Sequence, residues 1–122
     1  MNLQQQNILD NYHHPLNQGK PDSFTHHMRL ENFTCGDAID IYLSVHDSRV
    51  ADARFEGEGC SISIATASML TEELKGKQIA EVEAMTIDDL LKMLGIELTP
   101  SRRKCAYLSL EAAQSALKVI SK

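Results

Sequence analysis

Residues 55–74 read FEGEGCSISIATASMLTEEL, and this stretch predicts a strand, a glycine corner and a helix in succession. We place the end of the strand at Phe55 and the corner between Gly57 and Gly59. Apolar residues three or four positions apart predict one buried helix face, and Gly76 is placed to end the helix. The apolar residues of that face are Ile64, Ala67, Leu70 and Leu74.

Cys60 stands at the predicted start of this helix. The aligned peptide dipoles put a partial positive charge there, which favours thiolate over thiol and makes the sulfur a better nucleophile and metal ligand. Burial in the core is the usual alternative for a lone cysteine. The glycine corner favours a functional role instead, because it leaves the sulfur accessible. We expect Ser61 and Ser63 to help cap the helix.

The composition indicates a single domain at residues 1–122, with 12 basic and 17 acidic residues and a formal net charge of −5. This charge argues against a general role on nucleic acid or on a membrane surface, and no apolar run approaches a transmembrane length. The polar N-terminus lacks a signal-peptide pattern, so we expect a cytoplasmic protein. Three cysteines cannot all pair within one chain, and free thiols in a reducing compartment indicate metal or sulfur chemistry.

Three strands are predicted before the corner by alternating apolar and polar residues. The first starts at Phe24, and the other two flank a tight turn at residues 46–49. We expect Ala51, Ala53 and Phe55 of the third strand to face the core. Strands joined by short polar turns pair as antiparallel hairpins, so the sequence predicts a three-stranded meander.

Helical patterns lie on both sides of the meander. Residues 2–14 predict a first helix that ends at Pro15. A short helical turn follows the helix of the corner, and Thr86 with Asp89 then forms a capping box for the next helix. The last helix is predicted over residues 102–120. The fold class is therefore α+β, a three-stranded antiparallel sheet with helices packed on one face.

Cys35-Gly36-Asp37 lies where the first strand passes to the second. Side chains two residues apart are able to point to the same side, so this thiolate and carboxylate suit one ion. A hairpin returns the chain, which makes the start of the second strand a neighbour of the end of the third. We therefore expect Cys35, Asp37 and Cys60 to converge.

Cys105 stands at the predicted start of the last helix, directly after the three cations Arg102, Arg103 and Lys104. Cations in a first helical turn oppose the macrodipole, at a cost of about 0.3–1 kcal/mol each. A charged turn that is merely solvated is one explanation of these cations, and two functional explanations are open as well. The cations favour the thiolate of Cys105, or they form a docking surface for an acidic partner or an anion.

Together, three sulfurs and one carboxylate form a donor set that suits tetrahedral Zn²⁺ or iron bound with sulfide. The spacings between successive cysteines, 25 and 45 residues, match no zinc-finger pattern. From the residues alone, a metal or cluster site and three unrelated core cysteines both stay open.

Several short motifs carry a resemblance to a known family. They are Cys-Gly-Asp at 35–37, Asp-Ala-Arg-Phe at 52–55, Gly-Glu-Gly-Cys-Ser-Ile-Ser at 57–63, Lys-Gly-Lys at 75–77 and Arg-Arg-Lys-Cys at 102–105. In combination they resemble the U-type iron–sulfur cluster assembly scaffold family, which comprises IscU, SufU and the N-terminal domain of NifU. The likeness covers nearly the whole chain.

This resemblance implies a SufE/NifU-like α+β domain that accepts persulfide sulfur from a cysteine desulfurase at an exposed rim. Family members assemble a transient [2Fe–2S] cluster and transfer it to apo iron–sulfur acceptor proteins, or, in the SufU branch, bind Zn²⁺ and relay sulfur. The implied sulfur acceptor is Cys105, with Cys60 second, and Asp37 is expected to keep the cluster labile. The implied ligands of either occupant are Cys35, Asp37, Cys60 and Cys105.

Branch markers are mixed in this chain. IscU proteins carry histidine just before the third cysteine, whereas this chain has Lys104 there, which resembles SufU. SufU proteins also carry an insertion before the third cysteine, and this chain lacks it. Residues 98–102 do not reproduce the Leu-Pro-Pro-Val-Lys chaperone motif of IscU. Two functions therefore stay open, a non-enzymatic scaffold and a zinc-dependent sulfurtransferase, and a homodimer stays open as well.

Overall fold

The computed structural model describes residues 2–32 and 36–118. In chain order the elements are α1 (Leu3–His13), β1 (His26–Asn32), β2 (Asp37–His46), β3 (Arg49–Glu58), α2 (Ser61–Leu74), α3 (Ile79–Glu83), α4 (Ile87–Leu94) and α5 (Pro100–Lys118). The strands form one antiparallel sheet in the order β1-β2-β3, which confirms the predicted meander and the α+β class. Within the described ranges, none of these helices combines the length and the apolar character needed to cross a membrane.

Helices cover one face of the sheet. Both α2 and α5 lie against the strands, and the inward side chains of β2 and β3 are fully buried beneath them. Those side chains include Ile39, Ile41, Leu43, Ala53 and Phe55. The opposite face carries charged groups, where Asp40 accepts hydrogen bonds from Arg29 at 2.6 Å and from His27 at 2.8 Å. This division is typical of an antiparallel sheet with one solvated face.

The central element of the core is α2. It contacts α1, α5 and β3, and ten of its fourteen residues are buried. A helix that is buried on nearly all sides needs apolar or small residues all round rather than along one stripe. The run from Ile62 to Ser68 meets this requirement, since every residue in it is buried.

Two expectations for β3 are wrong. The strand continues past Phe55 to Glu58, because Gly57 pairs with Ile39 and its missing side chain lets the two strands approach. A Cβ at Gly57 would lie 2.7 Å from the Ile39 Cδ1 atom. The pairing register also shifts between Ser44 and Val45, which turns Val50 into the core and leaves Ala51 exposed.

Helix ends agree with the sequence at α4 and differ at α5. The predicted capping box of α4 is present, with the Thr86 amide donating to Asp89 at 2.8 Å. By contrast, α5 begins at Pro100 rather than at Arg102, since proline suits the first position of a helix. The predicted end of this helix at residue 120 lies outside the described residues.

Candidate functional site

Three of the four predicted ligands meet at one end of the sheet. Asp37 is the first residue of β2, Cys60 is the N-cap of α2, and Cys105 lies in α5. One carboxylate oxygen of Asp37 and the two Sγ atoms all lie within 4.8 Å of one another. Cys35, the fourth predicted ligand, lies outside the described residues.

Sheet register explains why Asp37 and Cys60 are neighbours. Ala38 pairs with Glu58 across the β2–β3 ladder. Asp37 therefore stands opposite the residue that follows the strand, Gly59, and the next residue is Cys60. The prediction that hairpin return brings this carboxylate and this thiol together is confirmed.

The Asp37 carboxylate caps α2 from a different element of the fold. It is only 2% exposed, and each of its oxygens accepts one hydrogen bond from the start of the helix. The Cys60 amide donates to Oδ1 at 2.9 Å, and the Ser63 hydroxyl donates to Oδ2 at 2.6 Å. A carboxylate is favoured at this position because it faces the positive end of the helix dipole. Each oxygen still has a second lone pair with which to bind a cation.

Gly59 gives the carboxylate its space. A Cβ at this position would overlap Asp37 Oδ1 and would lie 2.8 Å from Asp37 Cγ. From the sequence, these glycines were expected to form a sharp turn that exposes the sulfur. The structure adds a steric reason, since only glycine at position 59 leaves room for the Asp37 side chain.

Cys105 is more enclosed than the sequence predicted. It is the sixth residue of α5 and 4% exposed, whereas Cys60 is half-buried. The expected exposed rim is therefore wrong for Cys105 and for Asp37 in this conformation. The expected help from the helix dipole is also smaller, because that effect falls off beyond the first turn. Cys105 belongs to a buried apolar cluster whose other buried members are Ile8, Ile62, Ala65, Leu94, Leu98 and Ala106.

The three cations before Cys105 are exposed, and within the described ranges they form no ion pair. Arg103 donates from Nε to the Leu98 carbonyl at 3.1 Å, and the Arg102 amide donates to Thr99 Oγ1 at 3.4 Å. A cavity of about 430 Å³ adjoins this turn of α5. It is lined by Met85, Thr86, Ile87, Arg103, Lys104 and Tyr107.

The donor atoms fit a metal ion with little rearrangement. A tetrahedral site with Zn–S bonds of about 2.3 Å spaces its ligand atoms roughly 3.8 Å apart. The separations of at most 4.8 Å between Asp37, Cys60 and Cys105 exceed that spacing by no more than about 1 Å. A ligand set of two thiolates and one carboxylate leaves one position for a further ligand.

Sequence reasoning gave Ser63 only a role in capping its own helix. In the structure its hydroxyl bonds to Asp37 and lies 3.6 Å from Cys60 Sγ and 3.4 Å from the Cys105 carbonyl oxygen. The available signal was its position three residues after Cys60, which places both side chains on one side of the helix. Nothing in the local pattern indicated its bond to a residue 26 positions away.

A family model of the NifU-like N-terminal domain matches residues 3–122. This chain belongs to that family. The zinc-dependent sulfurtransferase SufU of Bacillus subtilis is 37% identical over 133 aligned residues, which cover 94% of this chain and 89% of that protein. The iron–sulfur cluster assembly scaffold protein IscU of Thermotoga maritima is 35% identical over 131 aligned residues, which cover 94% of this chain and 92% of that protein.

A solved structure supports the fold. The crystal structure of a hypothetical protein superposes with a TM-score of 0.83 at 29% identity, covering 96% of this chain and 98% of that one. The resemblance to the U-type family that was inferred from the motifs is thus confirmed, with its mixture of branches. Relatives of this chain carry the names of both a scaffold and a zinc-dependent sulfurtransferase.

Proposed function

We propose that this protein is an iron–sulfur cluster assembly scaffold. It accepts persulfide sulfur from a cysteine desulfurase, assembles a transient [2Fe–2S] cluster as its cargo and transfers the cluster to apo-proteins. The observation that carries the proposal is the convergence of the Asp37, Cys60 and Cys105 donor atoms within 4.8 Å. In this proposal Cys35 is the remaining ligand, since it precedes Asp37 by two residues.

Sulfur acceptance is a displacement at sulfur. A cysteine thiolate of this chain attacks the terminal sulfur of the desulfurase persulfide and forms a new S–S bond. The S–S bond within the desulfurase breaks, and its cysteine leaves as a thiolate, so the transfer itself consumes no oxidant or reductant. Conversion of each transferred sulfur into cluster sulfide then takes two electrons, which come from ferrous iron and a separate electron donor. We assign the acceptor to Cys105 first and to Cys60 second. Because Cys105 is 4% exposed, its reaction requires the apolar residues around it to move when the partner docks.

Docking is assigned to the cationic turn of α5. Arg102 and Lys104 are exposed beside the cavity that reaches Tyr107, directly before Cys105. An acidic surface on the desulfurase would be attracted to these cations, and such attraction mainly raises the association rate. The expected signature is docking that weakens as the ionic strength rises.

Asp37 controls release in this proposal. Thiolates hold iron–sulfide clusters tightly, whereas a hard carboxylate oxygen is a poorer ligand for them. The variant Asp37→Ala should therefore transfer its cluster to an apo-ferredoxin more slowly than the wild type. Transfer at the wild-type rate would contradict this role of Asp37.

A second candidate is a zinc-dependent sulfurtransferase that relays sulfur without building a cluster. Two observations favour it: the compact donor set suits a single ion, and the SufU relative is 37% identical to this chain. Bound zinc would hold the ligand thiols as thiolates, and Asp37, Cys60 and Cys105 with Cys35 would hold the zinc.

Anaerobic reconstitution with iron and sulfide separates the two candidates. A scaffold gives a coloured protein whose visible absorption is lost as the cluster moves to an apo-ferredoxin. A relay keeps tightly bound zinc that iron does not replace, and it strongly stimulates the desulfurase. Metal analysis of the freshly purified protein gives the starting occupancy for both tests.

A further inference from the structure

Ser63 joins three parts of the candidate site although it is not itself a predicted ligand. Its side chain is 1% exposed. The hydroxyl donates to Asp37 Oδ2 at 2.6 Å, and its oxygen lies 3.6 Å from Cys60 Sγ. A longer contact of 3.4 Å reaches the Cys105 carbonyl oxygen on α5. One buried hydroxyl thus touches all three residues whose donor atoms converge.

The shortest of these contacts indicates that the hydroxyl proton points to the Asp37 carboxylate. A serine hydroxyl has one proton to donate, and the 2.6 Å bond to the Asp37 carboxylate has the length of a charge-assisted hydrogen bond. With its proton given to Asp37, the Ser63 oxygen has lone pairs left that are able to accept from the Cys60 thiol. Ser63 therefore acts on the site chiefly through Asp37.

Two donors are needed to fix the carboxylate. The terminal torsion of an aspartate is broad, so one hydrogen bond leaves the carboxylate group free to rotate. The Cys60 amide holds Oδ1 and the Ser63 hydroxyl holds Oδ2, which together fix both oxygens. Outer partners of this kind orient metal ligands, and their loss typically lowers metal affinity by about 10- to 100-fold.

We propose that Ser63 is a positioning residue that holds the Asp37 carboxylate toward the thiols of Cys60 and Cys105. This inference rests on the proposed function, because it assigns Asp37 to the metal or cluster site. It adds a residue outside the ligand set, and it predicts that the effect of Ser63 on metal affinity requires Asp37.

The test uses cobalt(II) as a spectroscopic substitute for zinc, titrated anaerobically into the full chain. Ser63→Ala should lower cobalt affinity about 10- to 100-fold. The thiolate-to-cobalt absorption per bound ion should stay unchanged, since the cysteines remain. The ligand-field bands should shift, because the Asp37 oxygen is no longer held in place. In an Asp37→Ala background, Ser63→Ala should cause no further loss of affinity. Equal losses with and without Asp37 would overturn the inference.

Ser68→Ala is the matched control. Ser68 is also a fully buried serine of α2 whose hydroxyl bridges two groups, the Leu16 amide at 2.8 Å and the Asn11 side chain at 2.6 Å. Both variants lose a buried bridging hydroxyl, but only Ser63 touches Asp37. Ser68→Ala should keep the wild-type cobalt affinity and spectrum, and a loss as large as that of Ser63→Ala would reduce Ser63 to a general stabilising role.

A readout without metal separates this inference from the proposed function. In the metal-free protein, Ser63→Ala should speed hydrogen exchange of the Cys60 amide, relative to Ser68→Ala, because the acceptor of that amide is no longer fixed. Unchanged exchange together with unchanged cobalt affinity would overturn the role of Ser63 alone. A wild-type protein that takes up neither cobalt nor a cluster would contradict the proposed function and the inference together.

Discussion

The two described cysteines lie at or near the N-terminal ends of α2 and α5, where the sequence predicted a reactive thiol in each case. At α2, Cys60 is the N-cap, half-buried, and the helix is capped by a carboxylate that arrives from β2. At α5, the helix starts earlier, at Pro100, and its first turn is exposed. Cys105 lies beyond that turn and is buried among apolar residues.

The difference teaches that a helix start is defined by what satisfies its free amides. The start of α2 uses a distant side chain, which ties the helix to the sheet and brings a carboxylate next to a thiol. The start of α5 is satisfied locally, in part by Thr99 at 3.4 Å from the Arg102 amide. Removing each cap in turn measures how much stability each one contributes.

Removal of the Asp37 carboxylate should have the largest effect. Asp37→Ala leaves the Cys60 amide and the buried Ser63 hydroxyl without their acceptor. Because hydrogen bonds to charged groups contribute about 1.5–3 kcal/mol each and two are lost, we expect the unfolding free energy of the metal-free protein to fall by about 3–6 kcal/mol. Urea denaturation in the presence of a chelator measures it. Thr99→Ala should cost only about 0.5–1 kcal/mol, and an equal loss at both sites would remove the contrast.

Gly59→Ala should come next. Its new methyl would occupy the space of the Asp37 carboxylate, and overpacking of this kind costs about 1–3 kcal/mol. Gly76→Ala is the control, since Gly76 also has a positive φ but a Cβ added there would meet no atom within 4 Å. Paired urea curves give the loss of stability for each variant. The amount by which Gly59→Ala exceeds Gly76→Ala measures the cost of the clash with the Asp37 carboxylate. Equal losses would mean that the carboxylate does not lie where the structure places it.

The exposure of the two thiols should separate their reactivity. In the native metal-free protein, iodoacetamide should label Cys60 at least about tenfold faster than Cys105, because a buried sulfur is reached only through local opening. Mass spectrometry of the digested protein reads each site separately, and denatured protein gives the intrinsic rates. Faster labelling of Cys105 would show that the apolar residues around it open readily.

Neutralising a cation of the α5 turn should have the smallest effect. Arg102→Gln removes a positive charge from a helix N-terminus, so it should raise the free energy of unfolding by about 0.3–1 kcal/mol at low ionic strength. The gain should shrink as salt is added, because the group is exposed. Stability that falls, or a gain that salt does not change, would contradict this electrostatic account.

Local pattern was enough to predict much of the fold. Period two predicted the strands, the capping pair Thr86 and Asp89 predicted the start of α4, and hairpin return placed Asp37 near Cys60. These features depend on neighbours in sequence or on one short turn. They require no knowledge of how distant elements pack.

Features fixed by packing were missed. The register shift at Val45 depends on which residues fill the core, so the exposure of Ala51 was predicted wrongly. Cys105 is buried in a cluster whose members come from α1, α2, α4 and the segment before α5. The bond from Ser63 to Asp37 joins residues on different elements, and neither residue has a local pattern that signals it.

The ligand set is tested most directly by X-ray absorption at the zinc edge on the zinc-loaded full chain. The account predicts a first shell of three sulfurs at about 2.3 Å and one oxygen at about 2.0–2.2 Å, and Asp37→Ala should alter the oxygen shell alone. A first shell dominated by nitrogen and oxygen, with fewer than two sulfurs per zinc, would contradict the convergence of these cysteines on one ion.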